Sequence, residues 1–83
     1  VRSMNISDAV AERLNSLCEE RGITINRLAT LSAVTQSTVS DFMRGNTQNI
    51  GIITLKKLID GLDLSITEFF DTETFRSLEQ EIQ

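Results

Sequence analysis

A run of hydrogen-bonding side chains lies between residues 36 and 44: Gln36, Ser37, Thr38, Ser40, Asp41 and Arg44. They share one face of a stretch whose apolar residues, Val39, Phe42 and Met43, recur at helical spacing. A helix that needs only solubility more often carries Glu and Lys. Gln, Ser and Thr instead match the donor and acceptor edges of bases in a major groove, where a Gln can bind adenine through two hydrogen bonds. The face predicts a helix that reads DNA, although any small helical protein contains a capped amphipathic helix.

This stretch belongs to a longer segment, Thr24 to Gly45, that reads as two short helices joined by a tight turn. In the first helix Leu28 and Ala29 lie one turn beyond Ile25, and Thr24 is the expected N-cap. Thr35 is expected to cap the second helix, and Gly45 to end it. The sequence therefore predicts a helix-turn-helix.

Further helices are expected on both sides of this segment. The first should begin at Ser7 as N-cap and run to Arg21, and its apolar positions should close over the motif. A fourth should start at Ile52 and carry an apolar stripe. The apolar positions are Val10, Leu14, Leu17 and Cys18 in the first helix and Leu55, Leu58, Ile59 and Leu62 in the fourth.

The C-terminal third is expected to add a fifth helix, and a sixth is possible. Ser65 and Glu68 have the spacing of a capping box, with Phe69 and Phe70 pointing inward after it. Phe75, Leu78 and Ile82 form an apolar edge in the tail, which must dock on its own domain or on a second copy. We predict an all-α, compact bundle of five short helices with a possible sixth C-terminal helix. The expected divisions are 1–3, a cloning remnant before Met4; 4–71, the helix-turn-helix domain; and 72–83, a tail helix.

Composition limits the kinds of function. The 83 residues are 40% hydrophobic and contain no Pro, which suits one small core. With no His and one Cys, a conventional metal site or a Cys/His nucleophile pair is excluded, and Cys18 is expected to be a small core residue. We expect no enzyme activity and no cofactor. Without a long apolar run or a leader segment, the expected location is the cytoplasm, with no membrane partner.

The charge distribution bears on DNA binding. The net charge is −4, which opposes binding to phosphates. Residues 21–59, however, hold five basic residues and one acidic residue, whereas residues 60–83 hold seven acidic residues and one basic residue. The acidic excess is expected to face away from the DNA-reading surface.

From Leu14 to Phe70 the sequence resembles the phage-repressor (Cro/C1, or XRE) helix-turn-helix family. The matching residues are Leu14, Leu17, Arg21-Gly22-Ile23-Thr24, Leu28-Ala29, Val34-Thr35, Ser37-Thr38-Val39-Ser40, Arg44-Gly45, Thr54-Leu55 and Leu62 to Phe70. The resemblance implies a bundle of four or five helices whose second helix lies across the phosphate backbone and whose third enters the major groove. It implies that Gln36, Ser37 and Asp41 read bases. Implied groove or backbone contacts are Thr35, Thr38, Ser40 and Arg44. Asn26, Arg27, Asn46 and Thr47 are further residues expected to contact the backbone or the groove.

The sequence departs from the family pattern at three places. Ala33 stands at the turn position usually held by Gly, where a positive φ is costlier. Cys18 and Met43 replace an Arg–Glu pair between the first and third helices. Ile25 replaces a Gln that often contacts phosphate, which leaves that role to Asn26, Arg27 and backbone amides.

Several residues have simpler interpretations. Asp41 would repel phosphate, but it could accept a hydrogen bond from cytosine or orient a neighbour. Arg44 could complement the C-terminal dipole of its helix. Lys56 and Lys57 more often form a solvated face than a phosphate clamp.

Two hypotheses follow. The first is a sequence-specific transcriptional regulator, a repressor that binds double-stranded DNA at a palindromic operator as a homodimer. Its dimer interface could be the tail stripe, or exposed apolar residues such as Leu31 and Ile53. The second is a protein-interaction module with the same fold, such as an antitoxin, whose acidic segment from Asp60 to Glu81 covers a basic partner; a toxin or an antirepressor is the possible protein partner.

Overall fold

A computed structural model describes residues 4–82, and the regular secondary structure in this part of the chain is entirely α-helical. Residues 1–3, expected to be a cloning remnant, and Gln83 lie outside the described residues. The helices are α1 Ile6–Arg21, α2 Ile25–Leu31, α3 Gln36–Met43, α4 Ile52–Gly61, α5 Ile66–Phe70 and α6 Glu73–Arg76. The predicted fold class is confirmed. None of the helices in this range combines the length and the apolar character that crossing a bilayer requires.

One hydrophobic core joins the first five helices. Helix α2 contacts α1, α3 and α4, and its Leu28 and Ala29 are fully buried. The other buried apolar residues of the core are Val10, Leu14, Leu17, Cys18, Val39, Phe42, Leu58, Ile59, Leu62 and Phe69. The stripes read from the sequence are therefore the inward faces of the helices, and Met43 packs against the same core.

Four helices end in the same way, with one residue in the left-handed conformation. After α1 and α3 that residue is glycine, with φ of 66° at Gly22 and 79° at Gly45. After α2 and α4 it is Ala33, with φ of 57°, and Asp63, with φ of 58°. At Gly45 the amide donates to the Phe42 carbonyl, and the next amide reaches Asp41, which are the two hydrogen bonds of a Schellman motif.

The N-terminal caps differ in two places from the sequence prediction. Helix α1 begins at Ile6, and its N-cap is Asn5, whose Oδ1 accepts the Asp8 amide at 2.9 Å. Ser7, the predicted cap, instead donates to the carbonyl of Gln48. Asn caps a helix as well as Ser does, and the start at Asn5 leaves Ser7 available to the loop. Thr35 occupies the N-cap position of α3, but its hydroxyl makes no cap hydrogen bond.

The other two predicted caps are present. Thr24 accepts the Arg27 amide at 3.0 Å. Ser65 and Glu68 form the complete capping box of α5. Both capped helices have fewer than two full turns, so a satisfied first turn matters to their stability.

Helix α5 is fastened to α1 by Arg13, whose role the sequence analysis missed. Its Nε donates to the Phe69 carbonyl at 2.8 Å, and its Nη2 donates to the Glu68 carbonyl at 3.0 Å. The guanidinium carbon also lies 5.9 Å from the centroid of the Phe69 ring. Arg13 thus satisfies carbonyls at the end of a helix of five residues.

The tail is helical for one turn only, over Glu73–Arg76, where a helix over 72–83 was expected. Phe75 packs against Phe69 and Phe70, with ring centroids 6.0 and 4.7 Å apart. Beyond α6 the chain returns to the start of α1, where the Glu79 amide donates to the Met4 carbonyl at 3.2 Å. Ile82 remains 83% exposed. Because docking through Phe75 already uses the apolar edge, a longer helix would gain little from its last turns.

Candidate nucleic-acid interface

Helix α3 separates a buried face from an exposed polar face. Val39 and Phe42 are 0% and 4% exposed, which fixes the rotation of the helix on the core. The opposite face consists of Gln36, Ser37, Thr38 and Asp41, all exposed, while Ser40 is half-buried. The residues predicted to read bases therefore share one accessible surface.

The first turn of α3 keeps its polar groups accessible. The backbone of Thr35 is extended, and its carbonyl accepts the amides of Thr38 and Val39. Since its hydroxyl caps none of the α3 amides, the opening amides of this helix can be offered to an external acceptor such as a phosphate oxygen.

The side chain of Thr30 on α2 holds that of Gln36, and Thr30 was not among the site residues predicted from the sequence. Gln36 Nε2 donates to Thr30 Oγ1 at 3.2 Å, and Thr30 Oγ1 lies 3.1 Å from the carbonyl oxygen of Asn26. All three residues are exposed. The helical spacing of Asn26 and Thr30 places both on one face of α2, but the contact with Gln36 forms only because the turn brings α2 and α3 together.

An open groove of about 560 Å³ lies between the start of α2 and the end of α3. Asn26, Ser40 and Arg44 line it, together with Asn15, Thr24, Ile25 and Met43. Arg44 Nε is 3.4 Å from the Ser40 carbonyl, so this guanidinium lies along the C-terminal end of its own helix. The structure thus brings Asn26 and Arg44, both predicted backbone contacts, to the walls of one groove.

The loop after α3 is held from two sides. The Asn46 amide donates to the Asp41 carbonyl at 2.9 Å, and Ser7 of α1 donates to the carbonyl of Gln48. Thr47 Oγ1 is 3.4 Å from the Asn49 carbonyl, so its hydroxyl bonds within the loop. Asn46 and Thr47 are exposed and follow directly from the end of α3.

Ion pairs form outside the exposed polar face of α3, and they neutralise part of the charge of α4 and of the tail. Lys56 pairs with Asp60 at 2.5 Å, one turn along α4. Arg76 pairs with Asp71 and with Glu73. Both sets are exposed, where such pairs add little stability. The Lys56–Asp60 pair fits the interpretation of Lys56 as part of a solvated helix face.

Cys18 has the environment of a core residue. Its side chain is 3% exposed. Burial raises the pKa of the thiol, which the charge of Arg21 partly offsets. The thiol is therefore kept protonated at neutral pH. Among residues 4–82, no group of three or more Cys, Asp or Glu side chains is arranged to hold a metal ion.

Comparison with known proteins assigns the family. The family described as "Helix-turn-helix" matches residues 14–69. The chain therefore belongs to the Cro/C1-type (XRE) helix-turn-helix family, a class of DNA-binding domain used in transcription regulation.

Two individual proteins are similar to this chain, one in sequence and one in structure. The chain is 39% identical over 56 residues to the HTH-type transcriptional regulator SlrR of Bacillus subtilis (strain 168). That match covers 68% of this chain and 37% of the relative, so the chain spans little more than a third of SlrR. The crystal structure of the prophage Lp1 protein 11 superposes with a TM-score of 0.78 at 33% identity, and the match covers 90% of this chain and 100% of that chain.

Proposed function

We propose that this chain binds double-stranded DNA in a sequence-specific manner and regulates transcription as a repressor. The observation that carries the proposal is the exposed polar face of α3, mounted on a helix that Val39 and Phe42 hold against the core. A face of this kind presents donors and acceptors that can meet base edges in the major groove. Family membership supports the same placement of α3.

Gln36, Ser37 and Asp41 are the proposed base-reading residues. Gln36 and Ser37 lie in the first turn of α3, the part of a recognition helix that reaches deepest into the groove. Asp41 lies farther along the same face and is exposed. As a carboxylate it would accept a hydrogen bond from cytosine N4 and disfavour bases that present only acceptors.

The remaining polar residues of the surface are proposed to hold the phosphate backbone. Thr35, Thr38, Ser40 and Arg44 flank the reading face on α3, and Asn26 and Arg27 extend it onto α2. Asn46 and Thr47 continue it into the following loop. Most of these groups are neutral, so we expect the affinity of one protomer to be modest, because phosphate neutralisation supplies most of the binding energy.

A dimer would compensate for this modest affinity, and we propose that the chain binds a palindromic operator as one. The apolar residues that support an interface are Ile52 and Ile53, which are 81% and 69% exposed at the start of α4. Contiguous exposed apolar patches mark surfaces that another protein covers. Phe75 of the tail stripe is instead packed within its own chain.

Selection of duplex DNA from a random pool, followed by sequencing, tests the function. An enriched inverted repeat with half-sites about one helical turn apart is the expected result. The double variant Gln36→Ala, Ser37→Ala should lose the enrichment. Thr67→Ala combined with Gln80→Ala likewise removes one hydroxyl and one amide side chain, from exposed positions outside the surface, and should retain it. Equal enrichment by both double variants would contradict the assignment of the base readers.

A second candidate function is that of an antitoxin or another protein-interaction module. The observation that favours it is a mostly apolar groove of about 500 Å³, which is lined by Ile6, Val10, Phe42, Ile50, Ile52, Leu55 and Phe70 together with the polar residues Ser7, Gln48 and Asn49. Seven acidic residues lie in residues 60–83, and Glu81 lies at the edge of this groove. No DNA enrichment by a folded protein, with saturable binding to a basic protein encoded beside it, would favour this function over the first.

A further inference from the structure

The side chain of Gln36 is held in one place by a residue of the neighbouring helix. Its Nε2 lies 3.2 Å from the hydroxyl oxygen of Thr30 on α2. The same hydroxyl lies 3.1 Å from the carbonyl oxygen of Asn26, one turn earlier in α2. Three residues therefore form a chain of hydrogen bonds that starts at a helix backbone and ends at a proposed base reader.

The number of available protons fixes which group donates in each of these two hydrogen bonds. A carbonyl oxygen only accepts, so the single hydroxyl proton of Thr30 is donated to Asn26. The hydroxyl oxygen can then only accept a hydrogen bond from Gln36. It follows that the amide NH₂ of Gln36 must face Thr30, and that its amide oxygen Oε1 must face away from it.

We propose that Thr30 is a positioning residue that orients the amide of Gln36 so that it selects adenine over guanine in the major groove. This inference depends on the proposed function, since it assumes that Gln36 reads a base. Adenine presents a donor at N6 and an acceptor at N7, which match Oε1 and the second Nε2 proton. Guanine presents acceptors at both N7 and O6. A fixed Oε1, which is itself an acceptor, would face one of them without a proton to share.

The hydrogen bond is suited to this role because its acceptor is rigid. Thr30 is β-branched, which restricts its χ1 angle, and donation to the carbonyl four residues earlier restricts it further. An amide without this contact could rotate and direct both of its NH₂ protons at the acceptors of guanine. Thr30 therefore acts on base choice through Gln36, without touching the base itself.

The test compares the affinity for a selected operator with that for the same operator carrying G·C in place of A·T. The base pair to change is the one at which Gln36→Ala loses its preference in the selection. Wild type should favour adenine by about tenfold or more. Thr30→Val and Thr30→Ala should reduce this ratio to roughly twofold or threefold, whereas Thr30→Ser, which keeps the hydroxyl, should retain the wild-type ratio. Far-ultraviolet circular dichroism of each variant checks that the helices are intact.

The experiment distinguishes failure of the role proposed for Thr30 from failure of the base-reading role of Gln36. An unchanged adenine-to-guanine ratio in Thr30→Val and Thr30→Ala, with the ratio lost in Gln36→Ala, would overturn the role of Thr30 and leave DNA reading by Gln36 intact. If Gln36→Ala selected the same operator as wild type, or if wild type selected none, the base-reading role of Gln36 and the inference would fail together. A combined Thr30→Val, Gln36→Ala variant should behave as Gln36→Ala alone, because Thr30 has no separate contact with the base.

Discussion

Gly61, the last residue of α4, lies so close to Ser32 at the end of α2 that a side-chain methyl group on Gly61 would overlap the Ser32 hydroxyl. Such a methyl carbon would also lie 3.2 Å from Cβ of Ser32 and 3.3 Å from Cδ1 of Leu28. Ser32 is itself buried, and its hydroxyl has no hydrogen-bond partner within the described residues. The approach of α4 to the first helix of the motif therefore depends on the absence of a side chain at position 61.

Gly61→Ala should lower the free energy of unfolding by about 1–3 kcal/mol, because overpacking forces neighbouring groups to move. Ser32→Ala should be neutral or slightly stabilising, since it removes a buried hydroxyl without a partner. Combining the two should recover part of the loss in Gly61→Ala. Urea denaturation of the four proteins measures the coupling. Gly51→Ala is the control, because a methyl group there meets Thr54 at an ordinary 3.8 Å. Additive effects of the two substitutions would contradict the proposed overlap.

Ala33→Gly should stabilise the protein by roughly 0.5–1 kcal/mol. Ala33 has a φ of 57°, where an L-residue with a Cβ is strained and glycine is not. Part of the gain is offset by the larger entropy of glycine in the unfolded chain. Thermal unfolding followed by circular dichroism measures the change. Gly45→Ala is the converse control: no atom lies within 4 Å of the added methyl group, so the expected loss of about 1 kcal/mol is conformational.

Glu68 should make stability depend on pH in the acid range. Two hydrogen bonds lower the pKa of the Glu68 carboxyl. The larger effect comes from the backbone amide of Ser65, and the smaller from the Ser65 side chain. Because the folded-state pKa is below the unfolded value, the contribution is complete above the unfolded pKa, about 4.3, and is lost as pH falls through the folded value. Glu68→Gln should show a smaller fall in Tm than wild type between about pH 5 and pH 2. A matching fall in both proteins would contradict this.

Glu12→Gln serves as the control for that experiment. Glu12 is exposed on α1, so the substitution removes the same charge without touching the capping box. Its Tm should follow the wild-type curve through the acid range. Gln at position 68 still accepts the amide of Ser65, so Glu68→Gln should unfold close to wild type near pH 7.

Arg27→Ala should weaken DNA binding without changing base preference. Arg27 is exposed on α2 and is proposed to contact a phosphate. Loss of one phosphate contact should reduce the slope of log K against log salt concentration by about 1. Fluorescence anisotropy titrations at several salt concentrations measure the slope. Arg76→Ala is the control, because Arg76 is paired with Asp71 and Glu73 in the tail. An equal change of slope in both variants would contradict a specific contact at Arg27.

Cys18 should react slowly with thiol reagents in the native protein. It is 3% exposed, and burial raises the pKa of its thiol, so both access and the thiolate fraction are reduced at neutral pH. Reaction with a disulfide reagent should be many-fold faster in denaturing urea than in buffer, as followed by absorbance. Equal rates would show that the α1 face bearing Cys18 opens readily.

The sequence by itself determined the all-α class and the inward faces of the first five helices. Leu14, Leu28 and Leu58 are buried as their spacing requires, because an apolar stripe at helical period must be covered by another helix. Two helix ends were also readable, because the Ser65–Glu68 box and the left-handed Gly45 depend on residues within one turn. The polar face of α3 was identified for the same reason, since rotation on the core follows from the apolar positions alone.

Tertiary structure decided the contacts between residues far apart in the chain. Sequence spacing does not reveal that Arg13 caps α5, or that Gly61 must lack a side chain where it meets Ser32. The predicted tail helix was too long. The docking of Phe75 on Phe69, rather than local propensity, decides where this helix ends. Thr30 acquires its contact with Gln36 only when the turn brings two helices together. Such contacts depend on how helices are placed on a common core, which no local pattern specifies.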